Sequence, residues 1–322
     1  MESSPGPGDY RLMLGRRALL GTTLGALALS SSRARAAAGQ PLLVGDQKGG
    51  VRSLLSAAGA AVPATSINWV LFAGAPMLIQ AMTAGAVEVG AIGDAPLVFA
   101  QAGGSPIRAV AGLRTDGTTT ALVVQRDSAI RSIADLKGKR VATLRAQTGH
   151  YLTLAALREA GLPDDAVNFV FIPPTSAKLA LQTGAVDAWA TWGPYIADAK
   201  ISDGAREIVN GGKLMSGLSY IVARQDTIAA RPDAVAAYLR ALSAGYRWMG
   251  AHEDLYAATW AGEVGLSVPV AREVVRGMRG SIVPLTPEVV TAQQHVADFM
   301  AATRMIPSHL DVQAAMDTSF RF

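Results

Sequence analysis

The stretch GAVEVGAIGDAP at residues 85–96 has a counterpart about 100 residues later, GAVDAWATWGP at residues 184–194. Each copy follows a segment with helical hydrophobic spacing, continues as a short apolar run and ends at a turn whose Pro can open another helix. We expect Gly85 and Gly184 to cap the preceding helices. The repeat predicts two α/β lobes built from the same helix–strand–turn unit. Ligands bind at the carboxyl ends of the strands in such sheets, so a cleft between the lobes is predicted.

The order of apolar runs supports this division. Strands are predicted at residues 42–45, 67–72, 87–92 and 107–113, alternating with helical segments as in a parallel sheet covered by helices. A second series is predicted at residues 140–144, 168–172, 186–191 and 207–209. We therefore assign residues 41–125 and 224–322 to lobe I and residues 126–223 to lobe II, with the first crossover near Arg126. The mostly helical segment at residues 231–318 is expected to cover the first lobe and the hinge.

Residues 1–38 have the pattern of an export signal. Arg16 and Arg17 precede a twelve-residue apolar run at residues 18–29, and small residues suited to cleavage follow at residues 34–38. The run is too short to span a bilayer. The paired arginines favour the twin-arginine route, and the general secretory route is the alternative. The chain has no cysteine, so neither disulfides nor a lipid anchor is expected, and the processed protein is expected to be soluble in the periplasm.

Charge and missing motifs exclude several functions. The leader holds five of the 29 basic and two of the 25 acidic residues, which leaves 24 basic and 23 acidic residues without any basic block. Nucleic-acid binding is therefore not expected. The four histidines lack metal-ligand spacing, and no nucleophile-elbow, phosphate-loop or dinucleotide motif follows a predicted strand. We predict no catalytic residue, no metal and no cofactor.

Turns of small residues precede several predicted helices, and these turns favour an anion site. The first N–H groups of a helix have no intrahelical partner and carry partial positive charge, so several of them facing one cleft can bind an anion. We predict that the ligand is bound by Gln47, Lys48, Gly93, Asp94, Ala95, Thr119, Thr120, Thr148, Gly149, His150, Tyr151 and Trp192.

The turn at residues 148–151 is expected to contribute its backbone. Gly149 would let a ligand approach, with the N–H groups of His150 and Tyr151 pointing at it. Alternatively, Thr148 only caps the helix and the following side chains lie on the surface. Gln47 and Lys48 would donate from their amide and ammonium groups, unless they belong to an exposed polar turn.

The other candidates have side-chain roles. Asp94 either caps the helix at Pro96 or accepts a hydrogen bond from a ligand hydroxyl or amine. Thr119 and Thr120, at the predicted crossover, would donate their hydroxyls. Trp189 and Trp192 lie three apart in one strand and must point to opposite faces. We assign Trp192 to the apolar wall of the cleft and Trp189 to the core.

Five motifs carry a family resemblance: QKG at residues 47–49, GDAP at 93–96, IADLKG at 133–138, HYL at 150–152 and WGPY at 192–195. In this order they resemble the periplasmic binding proteins for aliphatic sulfonates, within the wider nitrate/sulfonate/taurine-binding group, over most of residues 41–322. The resemblance implies a two-lobed α/β fold of the type II periplasmic binding proteins. It also implies a monomer that closes on a small anion and delivers it to the membrane permease of an ATP-driven transporter.

Two positions depart from that family's usual pattern. Asp46 stands where an aromatic residue is usual and adds negative charge beside the predicted anion site. Gly193 stands where an acidic residue is usual, which would enlarge the pocket or remove a contact to a ligand amine.

The ligand and the function class leave alternatives open. Taurine, nitrate or another small anion would meet the same donors as an aliphatic sulfonate, and a ligand sensor would have the same sequence features. A pyrimidine-synthesis-like enzyme on this fold is disfavoured, because the chain has no cysteine and only His150 lies near the predicted cleft.

Overall fold

Two mixed β-sheets flanked by helices make up the described part of this computed structural model, which comprises residues 40–47, 50–59 and 67–322. The predicted leader at residues 1–38 and the candidate Lys48 lie outside the described residues. The strands are β1 Leu42–Gln47, β2 Ile67–Phe72, β3 Val89–Gly93, β4 Ile107–Arg114, β5 Thr120–Val124, β6 Arg140–Thr143, β7 Asn168–Phe171, β8 Ala188–Trp192, β9 Arg206–Asn210, β10 Leu218–Arg224 and β11 Ser281–Val283.

The helices lie between and after these strands. They are α1 Val51–Ala57, α2 Ala75–Thr83, α3 Asp94–Ala102, α4 Thr148–Glu159, α5 Pro174–Gln182, α6 Pro194–Ile201, α7 Gln225–Ala230, α8 Pro232–Ala251, α9 Glu253–Val264, α10 Val268–Gly277 and α11 Pro287–Ala302. Short 3₁₀ helices occupy Ala134–Leu136 and Val312–Ala315. No helix in the described ranges is long and apolar enough to cross a membrane.

The two sheets have equivalent topologies. The first has the order β11-β4-β10-β3-β1-β2, and the second has the order β9-β5-β8-β6-β7. In the first sheet β1 runs parallel to β2 and β3, and β10 lies antiparallel between β3 and β4. In the second, β6 runs parallel to β7 and β8, and β5 lies antiparallel between β8 and β9. The sheets therefore match strand for strand, apart from the added edge strand β11.

The repeated sequence unit occupies the same place in both sheets. Gly85 and Gly184 follow α2 and α5 with φ angles of 81° and 71°. Glu88 then accepts a hydrogen bond from the Leu43 N–H at 2.8 Å, and Asp187 accepts one from the Arg140 N–H at 2.8 Å. In each lobe, the acidic residue of the repeat joins its strand to the start of the central parallel strand. The prediction of two lobes of one design is confirmed.

The structure corrects the sheet assignment of two strands. The predicted lobe boundary places residues 120–124 in lobe I, but β5 pairs only with β8 and β9 of the second sheet among the described strands. We expected residues 218–223 in lobe II, but β10 lies in the first sheet, between β3 and β4. The crossovers therefore lie at residues 115–119 and 211–217. Both strands are almost entirely buried, and such apolar runs carry no local signal for the sheet they join.

The C-terminal helices cover more than the first lobe. Tyr238 of α8 and Trp260 of α9 are buried in the main core against the first sheet. Helix α11 also reaches the second lobe, because Val296 and Met300 pack in one cluster with Tyr151 of α4.

Candidate functional site

A cavity of about 230 Å³ lies between the two sheets, at the ends of their strands. Gln47, Gly93 and Trp192 are the last residues of β1, β3 and β8, and all three line it. The cavity therefore lies where the repeated unit predicts a cleft, at the carboxyl ends of parallel strands from both lobes.

Two buried polar side chains face this cavity without a protein partner. Thr120 at the start of β5 is 6% exposed, and Gln147, which precedes α4, is 5% exposed. Within the described ranges, neither the Thr120 hydroxyl nor the side-chain amide of Gln147 makes a hydrogen bond to another residue. Buried polar groups normally have partners, so these two are suited to a polar ligand. Thr120 was predicted; Gln147 was missed, although its position one residue before a predicted helix start was visible in the sequence.

The N-terminus of α4 opens at the same place. Gln147 is the residue before the helix, and the first intrahelical bond runs from the Tyr151 N–H to the Gln147 carbonyl at 3.1 Å. The preceding N–H groups, those of Thr148, Gly149 and His150, donate to no group among the described residues. They supply the partial positive charge expected for an anion site. The prediction for the Tyr151 N–H is wrong, because that group is used inside the helix.

Gly149 has a packing role that the sequence did not indicate. A Cβ added there would lie 2.5 Å from the carbonyl oxygen of Ala190 and 2.8 Å from the Thr143 hydroxyl oxygen. Gly149 does not line the cavity. Its missing side chain lets the first turn of α4 rest on β8, which holds the helix start in place beneath the cavity.

The side chains of His150 and Tyr151 point away from the cavity. His150 packs edge-on against Phe169 and Phe171, with ring centroids 4.6 and 5.1 Å away, and lines a separate crevice. Burial, together with the nearby Arg145 charge, lowers the pKa of His150 to about 4. Tyr151 packs on Phe299 of α11 at 4.7 Å, where burial raises the pKa of its phenol. The first turn of α4 therefore offers the cavity its backbone, and these two side chains serve packing.

Asp94 and Ala95 lie behind the cavity wall. Asp94 is fully buried; its Oδ2 accepts from the Ser216 hydroxyl at 2.7 Å and its Oδ1 from the Ala95 N–H at 2.7 Å. Burial raises the pKa of Asp94, although both hydrogen bonds lower it. Gln293 of α11 donates to the Asp94 carbonyl at 2.9 Å. The capping alternative for Asp94 fits these contacts, and only Gly93 of the corner lines the cavity.

Gly93 brings the lobes together at this corner. A Cβ there would lie 2.8 Å from Cγ2 of Thr148, on the facing lobe. Thr148 itself lines the cavity, as does Thr119, whose carbonyl accepts from the Gly193 N–H at 2.7 Å. These predicted residues therefore lie where the two lobes meet at the cavity.

Gln47 and Asp46 form the wall at the end of β1. Gln47 lines the cavity, and its Nε2 donates to the Ala91 carbonyl at 2.9 Å, so part of its donor capacity is used within the sheet. Asp46 accepts from the N–H groups of Val51 and Arg52 at 3.0 and 3.1 Å. The start of α1, which we expected to help bind the anion, is thus occupied by a carboxylate of the chain itself.

Much of the remaining wall is apolar. Trp192 lines the cavity and meets Tyr195 edge-on at 5.8 Å, whereas Trp189 is 1% exposed in the core of the second lobe. The expected division between the two tryptophans is observed. Leu113, Val274 and Met278 line the cavity from the first lobe. The residues from α10 and its end were missed, because nothing local marks that amphipathic helix as reaching the cleft.

Comparison with known proteins places these features in a family. A family model described as NMT1/THI5 like matches residues 73–254. The aliphatic sulfonates-binding protein of Escherichia coli K12 is 30% identical over 92% of this chain and 95% of its own length. The alkanesulfonate-binding protein SsuA of Xanthomonas axonopodis pv. citri, solved bound to MOPS, superposes with a TM-score of 0.80 at 30% identity, over 86% of this chain and 99% of that one. The periplasmic aliphatic sulphonate binding protein SsuA of Escherichia coli gives a TM-score of 0.77 at 28% identity, over 88% and 94% of the two chains.

Proposed function

The chain belongs to the NMT1/THI5 like family and, within it, to the aliphatic sulfonate-binding proteins, and from this premise we propose that it binds an aliphatic sulfonate between its two lobes. It is a substrate-binding protein of an ATP-driven importer and not an enzyme. Its ligand is delivered to the membrane permease of that importer.

The observation that carries this proposal is the donor set at the start of α4. A sulfonate offers three oxygen acceptors and one negative charge. Thr120, Gln147 and Thr148 line the cavity, and the N–H groups of Gly149 and His150, which have no acceptor among the described residues, follow Thr148 at the same helix start. A helix N-terminus stabilises an anion by roughly 0.3–1 kcal/mol when exposed and by up to about 2 kcal/mol when partly buried. Hydrogen bonds from buried side chains to a charged group add about 1.5–3 kcal/mol each.

The apolar wall supports an alkyl chain on the ligand. Trp192 faces Leu113, Val274 and Met278 across the cavity. Burying one methylene contributes about 0.8 kcal/mol, which corresponds to about fourfold in affinity. Affinity is therefore expected to rise with chain length until the cavity is filled, a pattern that nitrate and sulfate cannot show.

Export and assembly are the finer parts of the proposal. The relatives named as periplasmic proteins and the arginine pair at residues 16–17 support export to the periplasm through the twin-arginine route. We further propose that the processed chain acts as a monomer. Fractionation of cells that express an Arg16→Lys, Arg17→Lys variant tests the route, and retention in the cytoplasm is the expected result.

Titration calorimetry tests the binding function. The protein is titrated with alkanesulfonates of one to eight carbons, some of them carrying a terminal amine, and with taurine, nitrate, sulfate and carboxylates. Gln147→Ala is expected to weaken sulfonate binding by about tenfold or more, because a donor to the charged group is lost. Gln182→Ala, at an exposed glutamine that does not line the cavity, is the matched control and should bind as the wild type does. Binding of nitrate or carboxylates without any sulfonate would refute the sulfonate assignment.

A further inference from the structure

We propose that Asp46 selects zwitterionic sulfonates, in which an ammonium group lies at the end of the chain opposite the sulfonate. This inference rests on the proposed function, since it names the substrate class for the same cavity. It follows from the position of one carboxylate and from the charges around it.

Asp46 is fixed at the cavity wall by two backbone contacts. It lies near the end of β1, is 5% exposed, and accepts from Val51 N–H through Oδ1 at 3.0 Å and from Arg52 N–H through Oδ2 at 3.1 Å. Asp46 and Val51 both line the cavity. Since the carboxylate occupies the start of α1, a ligand anion cannot use those N–H groups and has to bind on the α4 side.

The cavity therefore carries an unusual charge for an anion site. Of the described residues that line it, Asp46 is the one with a carboxyl group, and none is Lys, Arg or His. Within the described ranges, no Lys, Arg or His side chain forms an ion pair with Asp46, and the charge of the neighbouring Arg52 is on an exposed side chain. Burial raises the pKa of Asp46, and the opposing effects of three backbone hydrogen bonds and of the Arg52 charge do not offset that burial. A cation placed beside this carboxylate would supply the missing compensation.

The two lobes supply the two kinds of group that a zwitterion needs. Asp46 comes from the first sheet, whereas Gln147, Thr120 and the start of α4 come from the second lobe. A ligand with sulfonate and ammonium ends would contact both lobes through opposite charges. A plain alkanesulfonate would place only a methyl group near Asp46, and its single negative charge would be repelled by the carboxylate.

A matched pair of ligands isolates this effect. 1-Butanesulfonate and 3-aminopropane-1-sulfonate have chains of the same length and differ in a terminal methyl or ammonium group. We expect the amino compound to bind the wild-type protein at least tenfold more tightly by calorimetry. In Asp46→Asn, which keeps a capping oxygen but loses the charge, that preference should fall at least tenfold. Asp311→Asn is the control, because Asp311 also caps a helix through its side chain but does not line the cavity.

The outcomes separate this inference from the proposed function. Equal or tighter binding of 1-butanesulfonate by the wild-type protein overturns the role of Asp46, even if the variant fails to fold. A preference for the amino compound that Asp46→Asn retains in full also overturns it. If neither compound nor any other sulfonate binds, the proposed function itself fails.

Discussion

At the scale of single residues, three buried titratable groups beside the cleft have different tasks. Asp46 caps α1 at the cavity wall, Asp94 holds Ser216 behind that wall, and His150 fills an aromatic pocket on the far side of α4. The sequence marked Asp94 and His150 as ligand-binding candidates because both lie at helix starts. It did not reveal which way each side chain turns, since this depends on how the first helical turn packs against the sheet.

His150 makes a prediction about pH. Its folded-state pKa of about 4 lies below the ordinary value of 6.5, so the unfolded chain takes up a proton that the native state excludes. Stability from this residue is complete above pH 6.5 and is lost as the pH falls toward 4. Between pH 7.5 and pH 5 the loss is about 2 kcal/mol, which follows from 1.36 kcal/mol per pKa unit.

Urea unfolding at both pH values measures this loss. The His150→Gln variant should lose about 2 kcal/mol less than the wild type over that interval, whatever its stability at pH 7.5. The same substitution at exposed His295 controls for the removal of an imidazole elsewhere. Equal losses in the wild type and in His150→Gln would show that His150 titrates normally in the folded protein.

At the scale of elements, the two copies of the repeated unit differ in how deeply their ion pairs are buried. Glu88 pairs with Arg231 at 3.0 Å, with side chains 18% and 7% exposed. Asp187 pairs with Arg140 at 3.1 Å, with side chains 28% and 46% exposed. The acidic residue of the repeat thus belongs to a buried ion pair in the first lobe and to a partly solvated ion pair in the second.

Removing the acidic charge should therefore cost more in the first lobe. Glu88→Gln removes the negative charge from a buried ion pair with Arg231 and should lower the free energy of unfolding by about 3 kcal/mol. Asp187→Asn removes a partly solvated pair and should cost less than about 1 kcal/mol. Both amides keep an oxygen for the strand N–H group. Chemical unfolding compares the two variants directly, and similar losses would contradict the difference in burial.

At the scale of the whole molecule, the sequence predicts the architecture better than the connections. Strands, C-cap glycines and Pro-opened helices are local signals, and the matching units at residues 85–96 and 184–194 therefore indicate two lobes and a cleft. Strands β5 and β10 each join the sheet opposite to the one we expected, because pairing between distant strands leaves no local mark. For the same reason α10, whose residues line the cavity, could not be connected with the site from sequence.

The site was predicted in outline for similar reasons. Gln47, Gly93, Thr119, Thr120, Thr148 and Trp192 line the cavity as residues at strand ends and turns should. Gly149, His150 and Tyr151 were predicted because they lie at the same helix start, but none of the three lines the cavity. The capping of α1 by Asp46 could not be predicted from composition or spacing, because it depends on how the chain brings the N–H groups of Val51 and Arg52 back to the Asp46 carboxylate.

A crystal structure of the protein with bound 3-aminopropane-1-sulfonate would show directly whether the start of α4 holds the sulfonate group. We expect sulfonate oxygens within hydrogen-bonding distance of the Thr148 and Gly149 N–H groups and of the side-chain amide of Gln147, with the carbon chain against Trp192. A sulfonate bound outside the cavity between the two sheets, or held there without contact to the start of α4, would contradict this expectation.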